Sequence, residues 1–509
     1  MLIFNAVKGN HEREPDRTRK KGYKMSLGRY GLNLNQVRCI SSRLLPETVR
    51  GQMLRGQIKL NPIVADVIND NILSNHLPNN IRRHMQHMYI KLRENEMFPQ
   101  VKTTLETDSF IGAFFLRDYG ATYQVLNELK RRLDESGIIP QSVLEVSHSP
   151  GVGMIAMNDL LSVDKSGKNL WGKKRKDSVV LGGNEMVQRA KLLLTKQEED
   201  NIKTRIISSV PGTTQKYDLI ILNHQLLRDP KRYPYEIDSQ ISHYLPMLNE
   251  QGIIVILERG TPTGAETIGR ARELIIRDNE VCQDWNIIAP CSHMGRDPLQ
   301  LNNLNYYKMK GNKLKFISFQ KMIQRPRYSL ELKRGKLLSL PWDNTNRKKL
   351  LQLRGKGRPE GTDHELINYT YLIAGKNVSP NEIDHWPRII SPPIKKKGHV
   401  ILNVCTVEPE VKIENWIIPK SFSKEVYHDA RKAQWGDLWP HDAKSKIPIR
   451  QKTDLMALKA MERERVKQLR REEKGKDKLM RRQLSSLDGV EVTPENITQM
   501  SKIYNHFNK

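Results

Sequence analysis

The spacing of apolar and polar positions divides the chain into segments of different character. Residues 1–54 are polar and basic with little periodicity and read as an extended arm. Over 55–140 the apolar positions take a helical period. In FFLRDYGATYQVLNELKRRL, Tyr123, Leu126, Leu129 and Leu133 recur at spacings of three and four, with charges between them. This predicts a helical lead-in packed beside the next domain. From 141 to 290 continuous apolar runs alternate with amphipathic stretches. SVLEVS, DSVVL, TRIISS, YDLIILN and GIIVILER predict five strands. Between the last two, SQISHYLPMLNEQG predicts a helix closing on Gly252. After the fifth, TPTGAETIGRARELII predicts a helix opened by a Thr263–Glu266 capping box, with Ile268, Ala271 and Ile275 on one face. Val/Ile/Leu strands separated by helices predict a mainly parallel sheet covered on both faces, an α/β fold.

Beyond 290 the strands become shorter and the setting more basic. KLKFISFQKMIQRPRYSLELKRGK predicts strands carrying cations. WPRIISPPIKKKGHVILNVCTVEPEVKIENWIIPKSF predicts a small β-rich module entered through the Pro392-Pro393 turn. Residues 291–440 thus continue the sheet and add this module, and 441–509 form a basic tail. Within the tail, TDLMALKAMERERVKQLRREEKGKDKLMRRQ predicts a long charged helix whose apolar stripe (Leu455, Leu458, Leu469) is thin. Such a helix suits a partner's surface better than a core. No apolar run reaches the roughly 18 residues of a membrane span, so no membrane association is expected.

Charge narrows the partner. Lys and Arg outnumber Asp and Glu by 85 to 57, a net +28. An excess of this size favours a polyanion, because each neutralised phosphate releases counterions. The plainer reading is a solubilising basic surface. An anionic membrane is disfavoured by the lack of a basic amphipathic anchor. Four cysteines, Cys39, Cys282, Cys291 and Cys405, form no CxxC pair, which points to a reducing compartment. The opening MLIFNAVKGNHEREPDRTRKK has no secretory apolar core. Its Glu12, Glu14 and Asp16 make it an unclear mitochondrial presequence.

The stretch VLEVSHSPGVG (143–153) has the outline of the first strand and glycine loop of a Rossmann-like class I S-adenosylmethionine (SAM) methyltransferase. Glu145, Pro150, Gly151 and Gly153 are the candidate cofactor-binding residues. Ser147, His148 and Ser149 bring side chains where glycines would let a cofactor approach. The second strand ends in Gly182-Gly183-Asn184, without the acid that would hold ribose hydroxyls unless Glu185 substitutes. After the fourth strand, Asn223-His224-Gln225-Leu226 stands where amino methyltransferases carry an Asp/Asn-Pro-Pro-aromatic loop. His148 and His224 could serve as bases, yet no nucleophile, base and orienting group assemble, so no catalytic residue is assigned. Cys291, beside His293, and Cys405 are too few ligands for a closed metal site and read equally as small buried apolar residues. Arg388, Lys395, Lys396, Lys397, Arg431 and Lys432, with Trp435 and Trp439 nearby, are candidate phosphate contacts and stacking platforms.

Together, VLEVSHSPGVG, YDLIILNHQLL, ILERGTPTGAETIGRAREL, IIAPCSHMGRDPL, LKFISFQKMIQRP, WPRIISPPIKKKGHVILNVCT and ARKAQWGDLWP resemble the Rsm22 family of mitochondrial small-ribosomal-subunit proteins, from about Phe115 to Pro440. The resemblance implies a methyltransferase-type domain that is inactive and works in the mitochondrial matrix. Its implied partners are small-subunit rRNA, ribosomal proteins and other assembly factors. It also implies a four-cysteine iron–sulfur site. Cys291 and Cys405 match two of its positions, while Asp297 and Ile317 stand at the others. The expectation is therefore a vestigial SAM pocket, a remnant metal site without a [4Fe–4S] cluster, and a non-catalytic assembly factor. The rivals are an active rRNA methyltransferase and a permanent structural protein of the small subunit.

Overall fold

The computed structural model describes residues 44–93, 101–162, 171–198, 203–282, 284–308, 315–326, 364–407, 411–449 and 455–487. Most of the predicted N-terminal arm and the cationic segment after 326 lie outside these residues. Helices Pro46–Gly51, Pro62–Val67, Pro78–Arg93, Thr104–Phe110 and Leu116–Ser136 precede the sheet. A proline opening a helix loses only an N–H that has no partner in the first turn. Leu116–Ser136 stops at Gly137, which takes the left-handed conformation (φ 72°). Its Leu126, Leu129 and Leu133 are buried as their spacing requires. So are Asp118, Glu128 and Arg132, which means the helix is enclosed well beyond its apolar stripe.

Among the described residues the main sheet has eight strands: β1 (Ser142–Ser147), β2 (Arg175–Val180), β3 (Arg205–Ile207), β4 (Tyr217–Asn223), β5 (Leu248–Arg259), β6 (Trp285–Ala289), β7 (Phe319–Gln324) and β8 (His364–Lys376). Their order is β3-β2-β1-β4-β5-β8-β6, with β7 paired to the first half of β8. β1 to β5 are mutually parallel, and β8 runs antiparallel to β5 and β6. This is the Rossmann-like methyltransferase-type sheet the apolar runs predict. Parity along β4 sorts its two faces. Leu219 and Ile221 join the core that holds the lead-in helix and helix Val152–Ser162. Ile220 and Leu222 join the core under helices Tyr235–Tyr244 and Pro262–Cys282.

Two readings are corrected here. The helix expected to close on Gly252 ends at Tyr244, passes through a short 3-10 turn, and gives way to β5 at Leu248. Pro246 cannot continue a helix ladder, and Leu248 pairs with Tyr217. The helix opened by TPTG is capped by Thr261, whose hydroxyl accepts from the Gly264 N–H (3.1 Å). Glu266 does not form a capping box. Its carboxylate is buried, accepting from the Leu301 and Asn302 N–H groups and from the Tyr233 and Tyr307 hydroxyls.

The β-rich module follows: β9 (Arg388–Ile389), β10 (Ile394–Lys395), β11 (His399–Cys405), β12 (Ile413–Pro419) and β13 (Ser445–Pro448), antiparallel in the order β10-β11-β12-β13, with β9 on β11. Helix Lys424–Lys432, capped by Ser423, covers it over Val400, Leu402, Trp416 and Ile418. The tail forms the helix Leu455–Leu487, and none of its described side chains is buried. No described helix is long and apolar enough to cross a membrane.

Candidate functional site: a filled cleft and a cationic hairpin

At the carboxyl ends of β1, β4 and β5, where an open α/β sheet binds ligands, this chain places its own polar side chains. Glu145 points inward. Its carboxylate accepts from the N–H groups of Gly153 (2.6 Å) and Met154 (3.2 Å) and from Ser178 Oγ (2.9 Å). Burial holds its pKa above the usual carboxylate range against those bonds. A Cβ at Gly153 would lie 2.9 Å from that carboxylate, so this glycine makes room for Glu145 rather than for a cofactor. Pro150 is buried, and Gly151 supplies the left-handed turn between them (φ 66°).

The side chains that crowd the loop are tied down. Ser147 Oγ donates to the Ser149 carbonyl (2.8 Å), and Ser149 Oγ donates to Asp118 of the lead-in helix (2.7 Å). Asp118 also faces His224 Nε2 at 3.3 Å, and Glu258 lies 3.7 Å from its Nδ1. Burial alone would depress His224, but the two carboxylates raise its pKa above the ordinary histidine value. His148 is pushed down to about 3 by burial and by Arg228 and Arg259. One histidine is thus locked in a salt bridge and the other is held neutral.

A second constellation joins the sheet domain to the module. Cys291 Sγ, His293 Nε2 and Cys405 Sγ, all buried, lie within 4.8 Å of one another. His293 Nδ1 accepts from the Gly295 N–H (3.1 Å) and from Arg272 (2.8 Å). Burial and Arg272 push this ring down to about 3. Its one proton therefore sits on Nε2, aimed at Cys405 Sγ 3.6 Å away. The Cys405 thiol, aided by Arg272 and Arg388, lowers the pKa of Cys291, while its own is raised. Cys291, His293, Asp297 and Ile317 line one cavity of about 20 Å³, room for about one water molecule.

The sequence-predicted RNA contacts separate into two groups. Arg388 is fully buried and donates to Glu128, to the Pro290 carbonyl (2.6 Å) and to the Gly436 carbonyl (2.7 Å). It is an internal clasp, which corrects its assignment as a phosphate contact. Trp439 is fully buried and offers no open ring, while Trp435 is half-buried against the main core. Lys395, Lys396, Lys397, Arg431 and Lys432 are exposed. They share one surface: Tyr427 Oη donates to the Lys397 carbonyl (3.0 Å), and Arg431 reaches the Lys396 carbonyl (3.4 Å) while lying over the Tyr427 ring. None of the five has an ion-pair partner among the described residues.

The chain matches the family described as "Mitochondrial small ribosomal subunit Rsm22" over residues 106–317 and 351–440. It is 36% identical to "Ribosome assembly protein RSM22, mitochondrial" of Saccharomyces cerevisiae, covering 85% of this chain and 83% of that one. The chain belongs to the Rsm22 family. A Schizosaccharomyces pombe relative, "Rsm22-cox11 tandem protein 2, mitochondrial", is 28% identical over 64% of this chain and 42% of its own length. Human "Ribosome assembly protein METTL17, mitochondrial" is 24% identical over 38% of this chain and 34% of its own. Among solved structures, the plantazolicin methyltransferase BpumL aligns at 11% identity and a TM-score of 0.27, covering 61% of this chain and all of that one. The assignment to the methyltransferase fold rests on the strand order.

Neither group that the Rsm22 resemblance implies fits these residues. For SAM, an acid at the end of β2 is excluded, since a Cβ on Gly182 would meet the His148 carbonyl at 2.8 Å and the Met186 side chain at 2.9 Å. Glu185, the substitute, is exposed and accepts from Thr104. The Asp118–Ser149 bond closes the glycine loop against the lead-in helix. For a [4Fe–4S] cluster, four thiolates are needed. Here Ile317 has no donor atom, Asp297 is committed to the Leu299 N–H (2.8 Å), and His293 presents a proton to the sulfurs.

Asp118, Glu128, Glu258 and Arg272 were not singled out by sequence reasoning. Each is a charge on a predicted helix or strand whose apolar neighbours are buried. That signal exists, but it does not say which charge turns inward.

Proposed function

We propose that this chain is a non-catalytic assembly factor of the mitochondrial small ribosomal subunit that grips rRNA through the cationic face of its β-rich module. The observation that carries this reading is the hairpin tip. Three successive lysines are exposed there while the carbonyls of two of them are held by Tyr427 and Arg431. Cations held on a braced backbone, without ion-pair partners among the described residues, suit phosphate contact better than a merely solubilising surface does. The names of the budding-yeast and human relatives, both ribosome assembly proteins, support the same role. The filled cleft supports a domain kept for its shape rather than for methyl transfer.

Sedimentation of tagged protein tests the role. Co-migration with precursor small subunits and absence from mature, translating ones is the expected result. Stoichiometric presence on mature subunits would instead make it a permanent structural protein. Changing Lys395, Lys396 and Lys397 to Ala should flatten the slope of log affinity against log salt by about two to three units and weaken all RNAs alike. An unchanged slope would move the grip elsewhere.

A further inference from the structure

The cationic hairpin is bordered by an aromatic ring with no place in any core. After β12 the chain turns at 419–423, where the Phe422 N–H donates to the Pro419 carbonyl (3.0 Å), and Ser423 then opens helix Lys424–Lys432. Phe422 belongs to none of the packed clusters and is 43% exposed. The turn is fixed to the hairpin, because the Lys420 N–H donates to the Gly398 carbonyl (3.0 Å), one residue past Lys397. Phe422 is therefore carried on a braced turn beside the lysine tip. An apolar ring exposed in an apolar setting would suit a protein partner. One carried beside lysines that have no ion-pair partner among the described residues, with Ile394 the exposed apolar residue of the same hairpin, suits a ligand that brings phosphates and a flat π-face together.

We propose that Phe422 stacks an unpaired RNA base while Lys395 to Lys397 hold the flanking phosphates, so that this face selects single-stranded over duplex RNA. The proposal rests on the rRNA-binding reading above and adds the kind of RNA. In a duplex both faces of each base are already stacked, and only its phosphates remain to be gripped. A single strand offers both contacts at once. Tyr427 does not compete for this role, since its ring lies under Arg431 and its hydroxyl is committed to Lys397.

The test uses the full-length protein with two RNA probes of equal phosphate count, an unstructured oligomer and a fully paired hairpin. Phe422→Ala should weaken binding to the oligomer by about 5- to 150-fold, the range of one lost base–aromatic stack. Hairpin affinity and the salt slope on both probes should stay unchanged. Phe422→Trp should restore oligomer affinity, and its fluorescence should be quenched on that probe alone. Equal losses on both probes with an unchanged melting temperature would overturn base stacking, as would wild-type affinity of Phe422→Ala for the oligomer. The lysine triple variant separates the two levels. If its slope drops while Phe422→Ala is silent, the phosphate grip stands and the stacking proposal fails. If its slope is unchanged, the grip itself fails.

Discussion

Arg388 of β9 and Glu128 of the lead-in helix, 260 positions apart in sequence, form an ion pair in the interior. Arg132 and the Tyr371 hydroxyl (2.5 Å) complete the carboxylate's surroundings. Burial alone would raise the pKa of Glu128, but Arg388 and Arg132 bring it down to about 2. The pair fastens the β-rich module to the sheet domain. Arg388→Met leaves this carboxylate with fewer partners and should cost about 3–5 kcal/mol. Adding Glu128→Gln should recover part of that loss, because the orphaned charge goes with it. Urea melts of the single and double variants measure both, and the RNA salt slope should not move. A reduced slope in a folded Arg388→Met protein would return Arg388 to the RNA contacts.

The filled cleft predicts that SAM does not stabilise the protein. A cofactor at 100 times its dissociation constant would add about 2.7 kcal/mol, so a melt with excess SAM is a sensitive assay. No shift is expected, and small-subunit rRNA should carry no methyl group that depends on this chain. Glycine-loop variants are poor tests of catalysis, because a side chain at Gly153 displaces the Glu145 carboxylate and would act through folding. A melting shift saturating with SAM would show that the Asp118–Ser149 contact opens.

His224 predicts a pH dependence. Its folded pKa is raised by Asp118 and Glu258, so its contribution to stability is full below the ordinary histidine value of about 6.5 and is lost as pH rises through the folded value. His148 works in the opposite sense. Held neutral down to about 3, it costs stability as pH falls below about 6.5. His224→Gln should therefore flatten the alkaline limb of the stability profile and leave the acid limb in place. Loss of the acid limb instead would mean that the two histidines have exchanged roles.

The strands were legible because a parallel sheet buried on both faces writes itself as unbroken Val/Ile/Leu runs. YDLIILN became β4 over the same seven residues. Where one proline outweighed a helical period, at Pro246, the boundary was not legible, since periodicity counts apolar spacing and not hydrogen bonds. The site was legible in kind but not in detail. Lys395 to Lys397 declared themselves as three cations on a turn. Arg388, equally basic and in the same run, is buried because Glu128 waits for it on a helix far upstream, a pairing no local pattern encodes. The glycines at 151 and 153 look like a cofactor loop because the turn and the inward acid need them whether or not a cofactor binds.

The Cys291–His293–Cys405 group predicts a protein free of iron–sulfur chromophore. Anaerobically purified chain should lack stoichiometric iron and labile sulfide, and a chelator should not lower its melting temperature. Replacing both cysteines by Ala should leave it folded, at a cost of the order of a small buried side chain, about 1–3 kcal/mol. Stoichiometric iron and sulfide would require donors from beyond these three residues.

The tail predicts the separation of RNA affinity from folding. Arg463, Lys467, Arg470 and Arg471 are exposed along helix Leu455–Leu487, while Arg465 is paired with Glu462 and donates to the Tyr233 carbonyl (2.9 Å). The truncation must fall after the module is complete. β13 pairs with β12, and the Ile449 N–H donates to the Ile413 carbonyl (2.7 Å), so a cut at Pro440 would strip an edge strand. A chain ending at Lys452 keeps that strand, and what it loses among the described residues is a helix with no buried side chain. Its melting temperature should match the full chain. If the four exposed cations meet phosphates, its salt slope should fall by about three to four units, at about 0.7 to 0.9 per contact. Combining the truncation with the Lys395–Lys397 alanine variant should subtract further if the two sets of cations meet separate phosphates. A truncated chain that melts early would assign the helix to the fold, and an unchanged slope would leave the hairpin to grip RNA alone.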